Sequence, residues 1–372
     1  VLSLNGGVSG YFRQLNTDQF GIMNMVSLTG SEALTTDYLH VYAASKLEWS
    51  YKRLELTLNI PANLYTYFFS ATLRNRTEFF LSPSLAARFR FTPGMMLTLQ
   101  GDLHRSPASL HDIHSTSILT DYRSLSAGTD DYYTSSGQSL SAVYSYRNAQ
   151  SGIFLMAIGS YGWNKSKFGT VQNILGNYVF YSYRPQPSDT HNAMALFNIS
   201  KTLDFMRGAF GLKGIYRMME NMLLSQGVQT DYRNDVFSLS PFVNGNISKY
   251  LNWSLHFTWD KSIMKISNVS HHCTYNFIYS GTVTFTPCPL ITWSTDGEFY
   301  HNQIQKGYYK DILMLDTKLT FNISKRVELS IVLTNLLNKK EYSYTSYGTV
   351  SQYERSNQLR GRELMVSLYL KK

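Results

Sequence analysis

The sequence predicts an all-β protein, namely an antiparallel transmembrane β-barrel with about 16 strands. Three observations support this fold class. Amphipathic runs of about 10 to 18 residues meet at short polar turns, aromatic residues reach 15%, and charged residues make up only 16% of the 372 residues. Soluble domains carry about 25% charged residues, and their strands are usually near five to six residues long.

Apolar runs in the chain are interrupted by polar residues every second or third position. No stretch approaches the roughly 20 apolar residues that a membrane helix needs. A chain that crosses a bilayer without helices must close its strands into a barrel, because every backbone N–H and C=O needs a partner there. The strands are therefore expected to alternate lipid-facing apolar and lumen-facing polar side chains.

Seven tight turns can be placed along the chain. They lie near residues 51–53, 93–94, 149–151, 202–204, 249–251, 287–289 and 325–326. Seven turns define seven hairpins, and one further strand at each end gives about 16 strands. An even strand number places both termini on the periplasmic side.

The connections between these hairpins are uneven in length. Long connections are expected over residues 13–37, 106–137, 167–189 and 338–358, and short ones near Asn75 and Gly227. Short turns on one rim and longer loops on the other are typical of outer-membrane barrels, with the long loops extracellular.

Composition does not shift anywhere as it would at a linker, so residues 1–372 are interpreted as a single barrel domain. The net charge of +9 comes from scattered Lys and Arg, which argues against nucleic-acid binding and fits a surface beside anionic lipid headgroups. Cys273 and Cys288 are expected near opposite ends of one strand, beyond disulfide reach, and hence to be free thiols.

The motif search predicts no enzymatic activity, cofactor or metal. No serine nucleophile with histidine and carboxylate partners, and no phosphate-binding glycine loop, stands in a suitable setting. His111, Asp112 and His114 form a tempting metal-ligand group, but their spacing fixes no common face, so they are interpreted as part of a solvated loop.

Aromatic residues fall into two groups. Those at strand ends, such as Tyr65, Tyr67, Phe68 and Phe69, are interpreted as an interfacial girdle that anchors the barrel among lipid headgroups. Those within polar loops are candidate ligand contacts that could stack on a sugar or an aromatic siderophore, although a girdle role stays open for them. These are Tyr132, Tyr133, Tyr344, Tyr347 and Tyr353.

The last 50 residues carry a family resemblance. "NLLNKKEY", with Asn335, Leu336, Asn338 and Tyr342, followed by "RGR", which is Arg360, Gly361 and Arg362, resembles the C-terminal end of TonB-dependent outer-membrane receptors. In that family the first element ends the penultimate strand and the second begins the strand that closes the barrel. These seven residues are accordingly assigned a structural role.

Upstream segments such as "LSPSLAARFRFTPGMMLTLQGDLHRS" resemble the Bacteroidetes branch of this family, whose members carry a carboxypeptidase-regulatory-like domain and a plug ahead of the barrel. Two features depart from the family pattern. The chain ends in Lys371 and Lys372 where many barrels end in an aromatic residue, and it contains no plug or TonB box. The chain is therefore expected to be the C-terminal part of a larger barrel of the 22-strand type.

The resemblance implies an outer-membrane receptor that takes up a nutrient with energy supplied by TonB through a plug outside this chain. Implied partners are outer-membrane lipid, lipopolysaccharide and a surface-exposed lipoprotein. Two alternatives stay open, namely a passive 16-strand porin and a scaffold barrel for a lipoprotein or an outer-membrane complex. A plug encoded upstream of Val1 would favour the receptor, and a signal peptide ending there would favour the porin.

Overall fold

The structure is a computed structural model of the chain. It describes residues 1–23, 26–69, 74–113, 116–121, 123–129, 131–267, 270–347 and 352–370. Over these residues the protein is nearly all β-strand, which confirms the predicted class. One turn of α-helix, α1 (Leu110–Ile113), and one 3₁₀ turn (Asp204–Met206) are the exceptions. No helix among the described residues is both long and apolar enough to cross a membrane.

The described residues form 23 strand segments. The first twelve are β1 (Leu2–Met23), β2 (Val26–Tyr51), β3 (Leu54–Phe69), β4 (Arg76–Leu81), β5 (Ser84–Thr92), β6 (Met95–Pro107), β7 (Ile118–Asp121), β8 (Ser124–Ala127), β9 (Thr134–Asn148), β10 (Ile153–Ser166), β11 (Gly169–Leu175) and β12 (Tyr178–Arg184). The remaining eleven are β13 (Ser188–Leu203), β14 (Gly208–Ser225), β15 (Val228–Ser248), β16 (Leu251–Ile266), β17 (Ser270–Cys288), β18 (Ile291–Gln305), β19 (Tyr308–Asn322), β20 (Val327–Thr334), β21 (Glu341–Tyr347), β22 (Gln352–Gln358) and β23 (Glu363–Leu370). Twenty-one segments belong to one sheet, and β21 with β22 forms a separate two-stranded ribbon.

Neighbouring strands pair antiparallel in long, regular ladders. β1 and β2 stay in register from the Leu2–Leu47 pair to the Met23–Val26 pair, and β16 and β17 pair from Leu251–Phe285 to Ile266–Ser270. Two short parallel pairings, β11 with β14 and β8 with β12, are the exceptions in the ladders described. The predicted antiparallel sheet of at least 16 strands is thereby confirmed.

The predicted tight turns fall between consecutive strands. Lys52 has a φ of 52° in the turn between β2 and β3. The predicted short connection near Gly227 is a two-residue loop between β14 and β15, in which Gln226 and Gly227 have φ values of 51° and 79°. Positive φ at both central residues of a two-residue loop matches the right-handed twist of the strands it joins. Cys273 and Cys288 lie near opposite ends of β17, as predicted, and both are free.

The predicted count of about 16 strands is confirmed for the long strands, and the predicted loops contain further strands of their own. When β4 and β5, which are interrupted at Pro83, are counted as one strand, 16 strands match the predicted set. The six others are β7, β8, β11, β12, β21 and β22. The expectation of a long loop over residues 13–37 was wrong, since β1 and β2 remain paired up to residues 23 and 26. The predicted short connection near Asn75 includes residues 70–73, which lie outside the described part.

Each long strand has one apolar and one polar face, because successive side chains point to opposite sides. On β3 the apolar face carries Leu56, Leu58 and Leu64, and the opposite face carries Thr57 and Asn63. The register of β2 on β3 pairs Leu47 with Leu58 and Val41 with Leu64, which makes the apolar face continuous across the two strands. Large apolar side chains on this face are exposed, for example Leu39 and Phe68.

The chain divides into two compact units. The first contains Val1–Val143, Gly159–Ala193 and Met218–Arg233, and its buried core joins Tyr67 of β3 to Ile113 of α1 and to Tyr132. The second contains Tyr144–Ile158, Met194–Arg217 and Asn234–Lys372. Within the second unit the β21–β22 ribbon attaches to β18, where the Thr345 hydroxyl donates to the Ile304 carbonyl at 2.8 Å.

Candidate functional site: an aromatic cluster on the polar face

Strand alternation places a set of tyrosines on the polar face of the first unit. Tyr38 of β2 pairs with Tyr67 of β3, and Tyr11 of β1 pairs with Tyr38. Leu39 and Leu64 occupy the apolar face at neighbouring positions. The girdle interpretation of Tyr65, Tyr67 and Phe69 was therefore wrong, because their side chains lie opposite the apolar face.

The rings of these residues contact one another continuously. Tyr11 stacks on Tyr38 at a centroid distance of 5.0 Å, Tyr38 lies 5.7 Å from Tyr67, and Tyr67 lies 5.2 Å from Tyr132. Such separations are those of favourable aromatic pairs. We call the set the aromatic cluster, and its members are Tyr11, Tyr38, Tyr65, Tyr67, Phe69, Phe80 and Tyr132.

The aromatic cluster encloses a cavity of about 160 Å³. Its lining consists of Arg13, Thr36, Tyr38, Tyr65, Tyr67, Phe69, Pro107, Ala108, Ile113 and Tyr132. A cavity of about 150 Å³ with an apolar lining is large enough to hold a benzene ring. The space beside Tyr38 and Tyr67 can therefore accept one six-membered ring.

Two polar atoms in the cavity wall are buried without a hydrogen-bond partner among the described residues. They are the hydroxyl oxygens of Thr36 and Tyr132, whose residues are only 4% exposed. Burial raises the pKa of the Tyr132 hydroxyl, so this group is a neutral O–H donor at physiological pH. Buried hydroxyls without partners cost free energy in the unliganded protein and are ready to bind a polar group on a ligand.

Two arginines flank the cluster. The Arg13 guanidinium lies 5.5 Å from the centre of the Tyr38 ring, and that of Arg76 lies 5.6 Å from the centre of the Tyr132 ring. Arg76 also lies 3.7 Å from the Asp131 carboxylate, whereas the structure pairs Arg13 with no carboxylate among the described residues. The cavity therefore has at its edge a positive charge that no carboxylate among the described residues neutralises.

His40 holds one side of the cluster in place. Its ring stacks on Tyr65 at 4.1 Å, with an interplanar angle of 2°. Its Nε2 atom lies 3.0 Å from Asn63 Oδ1, and its Nδ1 atom lies 3.3 Å from the Ser9 hydroxyl. Because both ring nitrogens have partners, His40 holds the Tyr65 ring in place.

The loop tyrosines predicted to contact a ligand lie in different places. Tyr132 lies inside the aromatic cluster. Tyr133 stacks on Phe168 at 4.7 Å, and burial, with the Asp112 carboxylate beside it, raises the pKa of its hydroxyl. Tyr344 lies on β21 of the ribbon, 5.9 Å from Tyr342. The side chains of Tyr347 and Tyr353 lie outside the described part of the structure, although the ribbon backbone includes both residues.

The predicted C-terminal motif converges on one corner between β20 and β23. The Asn335 amide nitrogen donates to the carbonyls of Lys339 and Arg360, each at 2.7 Å, and Lys339 N–H donates to Asn335 Oδ1 at 2.8 Å. The Arg362 guanidinium donates twice to the Leu336 carbonyl, at 3.0 and 2.7 Å.

The other motif residues complete this C-terminal corner or lie beside it. Arg362 N–H donates to Asn338 Oδ1, and a side chain at Gly361 would meet the same oxygen at 3.1 Å. Both asparagines have φ near +50°, a conformation that asparagine tolerates better than most residues. Tyr342 instead packs edge-on against Tyr300 of β18, at 5.4 Å.

A second polar network on the same face of the first unit joins Asp102, His104, Ser139 and Asn164. The Ser139 hydroxyl donates to Asp102, and His104 lies between Asp102 at 3.3 Å and Asn164 at 3.0 Å. Serine and histidine thus share a carboxylate without contacting each other, which is not the arrangement of a nucleophile and its base. Within the described ranges, no group of three potential metal ligands occurs.

The residues that sequence reasoning missed are those on strands, chiefly Arg13, Tyr38, His40 and Tyr67. The spacing of these residues in the sequence could have identified the face on which they lie. Tyr38 and His40, like Tyr65 and Tyr67, are two residues apart, so each pair shares a face opposite Leu39 or Leu64. Tracing this parity from the leucines would have assigned them to the polar face.

No protein-family model and no curated protein matches the chain. Among solved structures, the ferric-catecholate import receptor Fiu from E. coli K12 in its open form is 8% identical, with a TM-score of 0.29, over 99% of this chain and 81% of that one. The copper transporter OprC is 9% identical, with a TM-score of 0.29, over 100% of this chain and 80% of that one. The assignment of an antiparallel sheet rests on the strand ladders alone, because TM-scores this low do not establish a shared fold.

Proposed function

We propose that this chain is the barrel of a TonB-dependent outer-membrane receptor and that the aromatic cluster contacts its ligand from the lumen side. The observation that carries the proposal is the two-faced sheet. A continuous exposed apolar face suits lipid, and the opposite face carries hydrogen-bonding groups together with a lined cavity. The hydrogen-bonded C-terminal corner formed by Asn335 and Arg362 supports the family resemblance.

In this proposal residues 1–372 form a single barrel domain in the outer membrane. Both termini lie on the periplasmic side, and the long connections lie on the extracellular side. Lipid and lipopolysaccharide surround the apolar face. Energy for uptake comes from TonB through a plug outside this chain, and a surface lipoprotein can join from the extracellular side. The barrel itself carries no catalytic residue or cofactor and performs transport, not covalent chemistry.

The cavity favours a planar, anionic ligand. Its volume admits one ring, aromatic side chains form half of its lining, and the Arg13 guanidinium lies at its edge. The Tyr132 hydroxyl can donate a hydrogen bond to an oxygen on that ring. An aromatic siderophore or a similar phenolic carboxylate meets all these conditions. Tyr344, Tyr347 and Tyr353 on the ribbon are proposed as further contacts for the outer part of such a ligand.

A binding experiment tests the cavity directly. The purified protein in detergent is titrated calorimetrically with 2,3-dihydroxybenzoate, a planar aromatic anion. We expect saturable binding, which Arg13→Gln weakens about tenfold, because a charge-assisted contact contributes about 1.5 kcal/mol. Arg88→Gln is the matched control, since Arg88 lies on the polar face of β5 but is paired with Glu55 at 3.2 Å. Equal affinity in wild type and Arg13→Gln would contradict the ligand site.

A separate experiment on the full reading frame is needed to distinguish a receptor from a porin or a scaffold. We expect a plug domain upstream of Val1 and a closed state of the full-length protein in planar bilayers. A signal peptide that ends immediately before Val1, together with steady large conductance, would instead identify a porin. Stoichiometric recovery of a lipoprotein without ligand binding would identify a scaffold.

A further inference from the structure

A groove on the apolar face of the first unit combines exposed apolar side chains with two cations. Phe79 and Leu81 of β4 and Leu103 of β6 line it, and they are 57%, 46% and 51% exposed. Arg105 of β6 and Lys165 of β10 lie at its edge, with Trp163 beside them. We call this the cationic groove, and its volume is about 490 Å³.

Strand parity places these residues on the apolar face. Ser139 bonds Asp102, and Asn164 bonds His104, so these four residues share the polar face. Their sequence neighbours Leu103, Arg105, Trp163 and Lys165 therefore point to the opposite side. Phe79 pairs with Leu64 across β3 and β4, which puts its ring on the same apolar face.

Arg105 and Lys165 lie at similar distances from the ends of their strands. Arg105 is two residues from the end of β6, and Lys165 is one residue from the end of β10. β6 ends in the connection that contains α1, and β10 turns within two residues into β11. β9 separates the two strands, so their backbones are about 10 Å apart, and both side chains can reach one anionic group.

Neither cation is neutralised by a carboxylate among the described residues, and no acidic residue lines the cationic groove. Lys165 instead lies over the Trp163 ring, with its Nζ atom 4.3 Å from the ring centre. The indole Nε1 of Trp163 is buried and has no hydrogen-bond partner in the part of the chain that the structure describes. The part of the groove beside Arg105 and Lys165 thus carries positive charge that no described carboxylate neutralises, while the part lined by Phe79, Leu81 and Leu103 is apolar.

We propose that the cationic groove binds a phosphorylated lipid of the outer leaflet, with lipid A as the occupant. One lipid phosphate lies between Arg105 and Lys165, accepting hydrogen bonds from both, and an acyl chain lies along Phe79, Leu81 and Leu103. Lipid A fits better than a zwitterionic phospholipid, because its head group carries phosphate charge without a compensating ammonium. The inference rests on the proposed membrane function, since it requires the apolar face to contact lipid.

Native mass spectrometry of the intact chain in detergent, with added bisphosphorylated lipid A, tests this site. We expect a one-to-one adduct in the wild type and about 30-fold weaker binding in the Arg105→Gln/Lys165→Gln double variant. Each cation near an anionic lipid contributes roughly a factor of five. The matched control is Lys52→Gln/Lys201→Gln, which removes the same charge at tight-turn ends and should bind within about twofold of wild type.

Three results would overturn the inference. They are equal lipid A binding in the double variant, equal binding of phosphatidylcholine, and complete displacement of lipid A by millimolar inorganic phosphate, which would make the groove a simple anion site. Membrane fractionation separates this failure from that of the proposed function. A protein that partitions into the outer membrane but retains no lipid A contradicts only the groove, whereas a protein absent from membranes contradicts both.

Discussion

The aromatic cluster and the C-terminal corner differ in how their polar atoms are satisfied. In the cluster, the hydroxyls of Thr36 and Tyr132 are buried around a cavity and have no hydrogen-bond partner among the residues described. In the corner, the Asn335 side chain makes three hydrogen bonds, and the Arg362 guanidinium makes two. Both regions join strands to connections, but only the aromatic cluster contains polar groups whose hydrogen-bonding capacity is unused.

This difference separates a region suited to binding from one suited to stability. Side chains that satisfy each other stabilise the fold and have nothing to offer a ligand. Unsatisfied groups beside a cavity lower the stability of the empty protein, and a ligand restores the lost hydrogen bonds. Removing a polar group should therefore have opposite effects on stability in the two regions.

The largest effect is expected at Asn335. We expect Asn335→Ala to lower the free energy of unfolding by about 2 kcal/mol, because three partly exposed hydrogen bonds are lost and alanine disfavours the φ of 50°. Urea unfolding of the protein in lipid vesicles measures the change. Asn335→Gly serves as the control, since it removes the same bonds but accepts the backbone conformation, and it should recover up to about 1 kcal/mol.

A smaller effect of opposite sign is expected at Thr36. Thr36→Val removes a buried hydroxyl that has no hydrogen-bond partner within the described ranges, so the free energy of unfolding should rise by about 1 kcal/mol. The matched variant is Thr345→Val, whose hydroxyl donates to the Ile304 carbonyl at 2.8 Å and whose loss should cost about 1 kcal/mol. If both variants were destabilised equally, the Thr36 hydroxyl would not be an unsatisfied group.

The sequence predicted the fold where one physical rule dominates. Period-two alternation and turn residues such as Lys52 and Gly227 identified the 16 long strands, because burial of one face fixes the register. The ladder of β1 with β2 beyond residue 13 was missed, since its outer part lacks a regular apolar stripe and resembles a loop. The hairpin of β11 and β12 was missed for the same reason, although Gly176 marks its turn.

The candidate site was only partly predictable. Tyr132 was identified as a ligand contact, but its partners Tyr38 and Tyr67 come from strands far away in sequence. Their convergence depends on the register between β2 and β3 and on the path of the connection after β6. Neither the register nor the path of this connection can be predicted from the local sequence pattern. The corner around Asn335 was identified because each of the two chain segments that form it carries a recognisable local motif. One segment is "NLLNKKEY" and the other is "RGR".

The smallest effect concerns pH and the attachment of the β21–β22 ribbon. Hydrogen bonds from Lys310, Ser343 and Ser356 lower the pKa of the Glu341 carboxyl from 4.5 to about 2. A lowered folded-state pKa stabilises the ribbon fully above pH 4.5, and this contribution is lost as the pH falls from 4.5 towards 2. Faster amide hydrogen exchange in the ribbon over that range, relative to β16 and β17, is the expected result.

Glu341→Gln sharpens the same test. Glutamine keeps an oxygen that can accept from Lys310 and Ser356 but cannot titrate, so the pH dependence of ribbon exchange between 4.5 and 2 should disappear. Ribbon exchange at pH 7 should be faster than in the wild type, because the charge-assisted bond at 2.6 Å becomes a neutral one. An unchanged pH profile of ribbon exchange in Glu341→Gln would mean that another carboxylate causes the acid response. The ribbon would then be attached to its neighbours by uncharged hydrogen bonds, from Asn302 to the Ser343 carbonyl and from Thr345 to the Ile304 carbonyl.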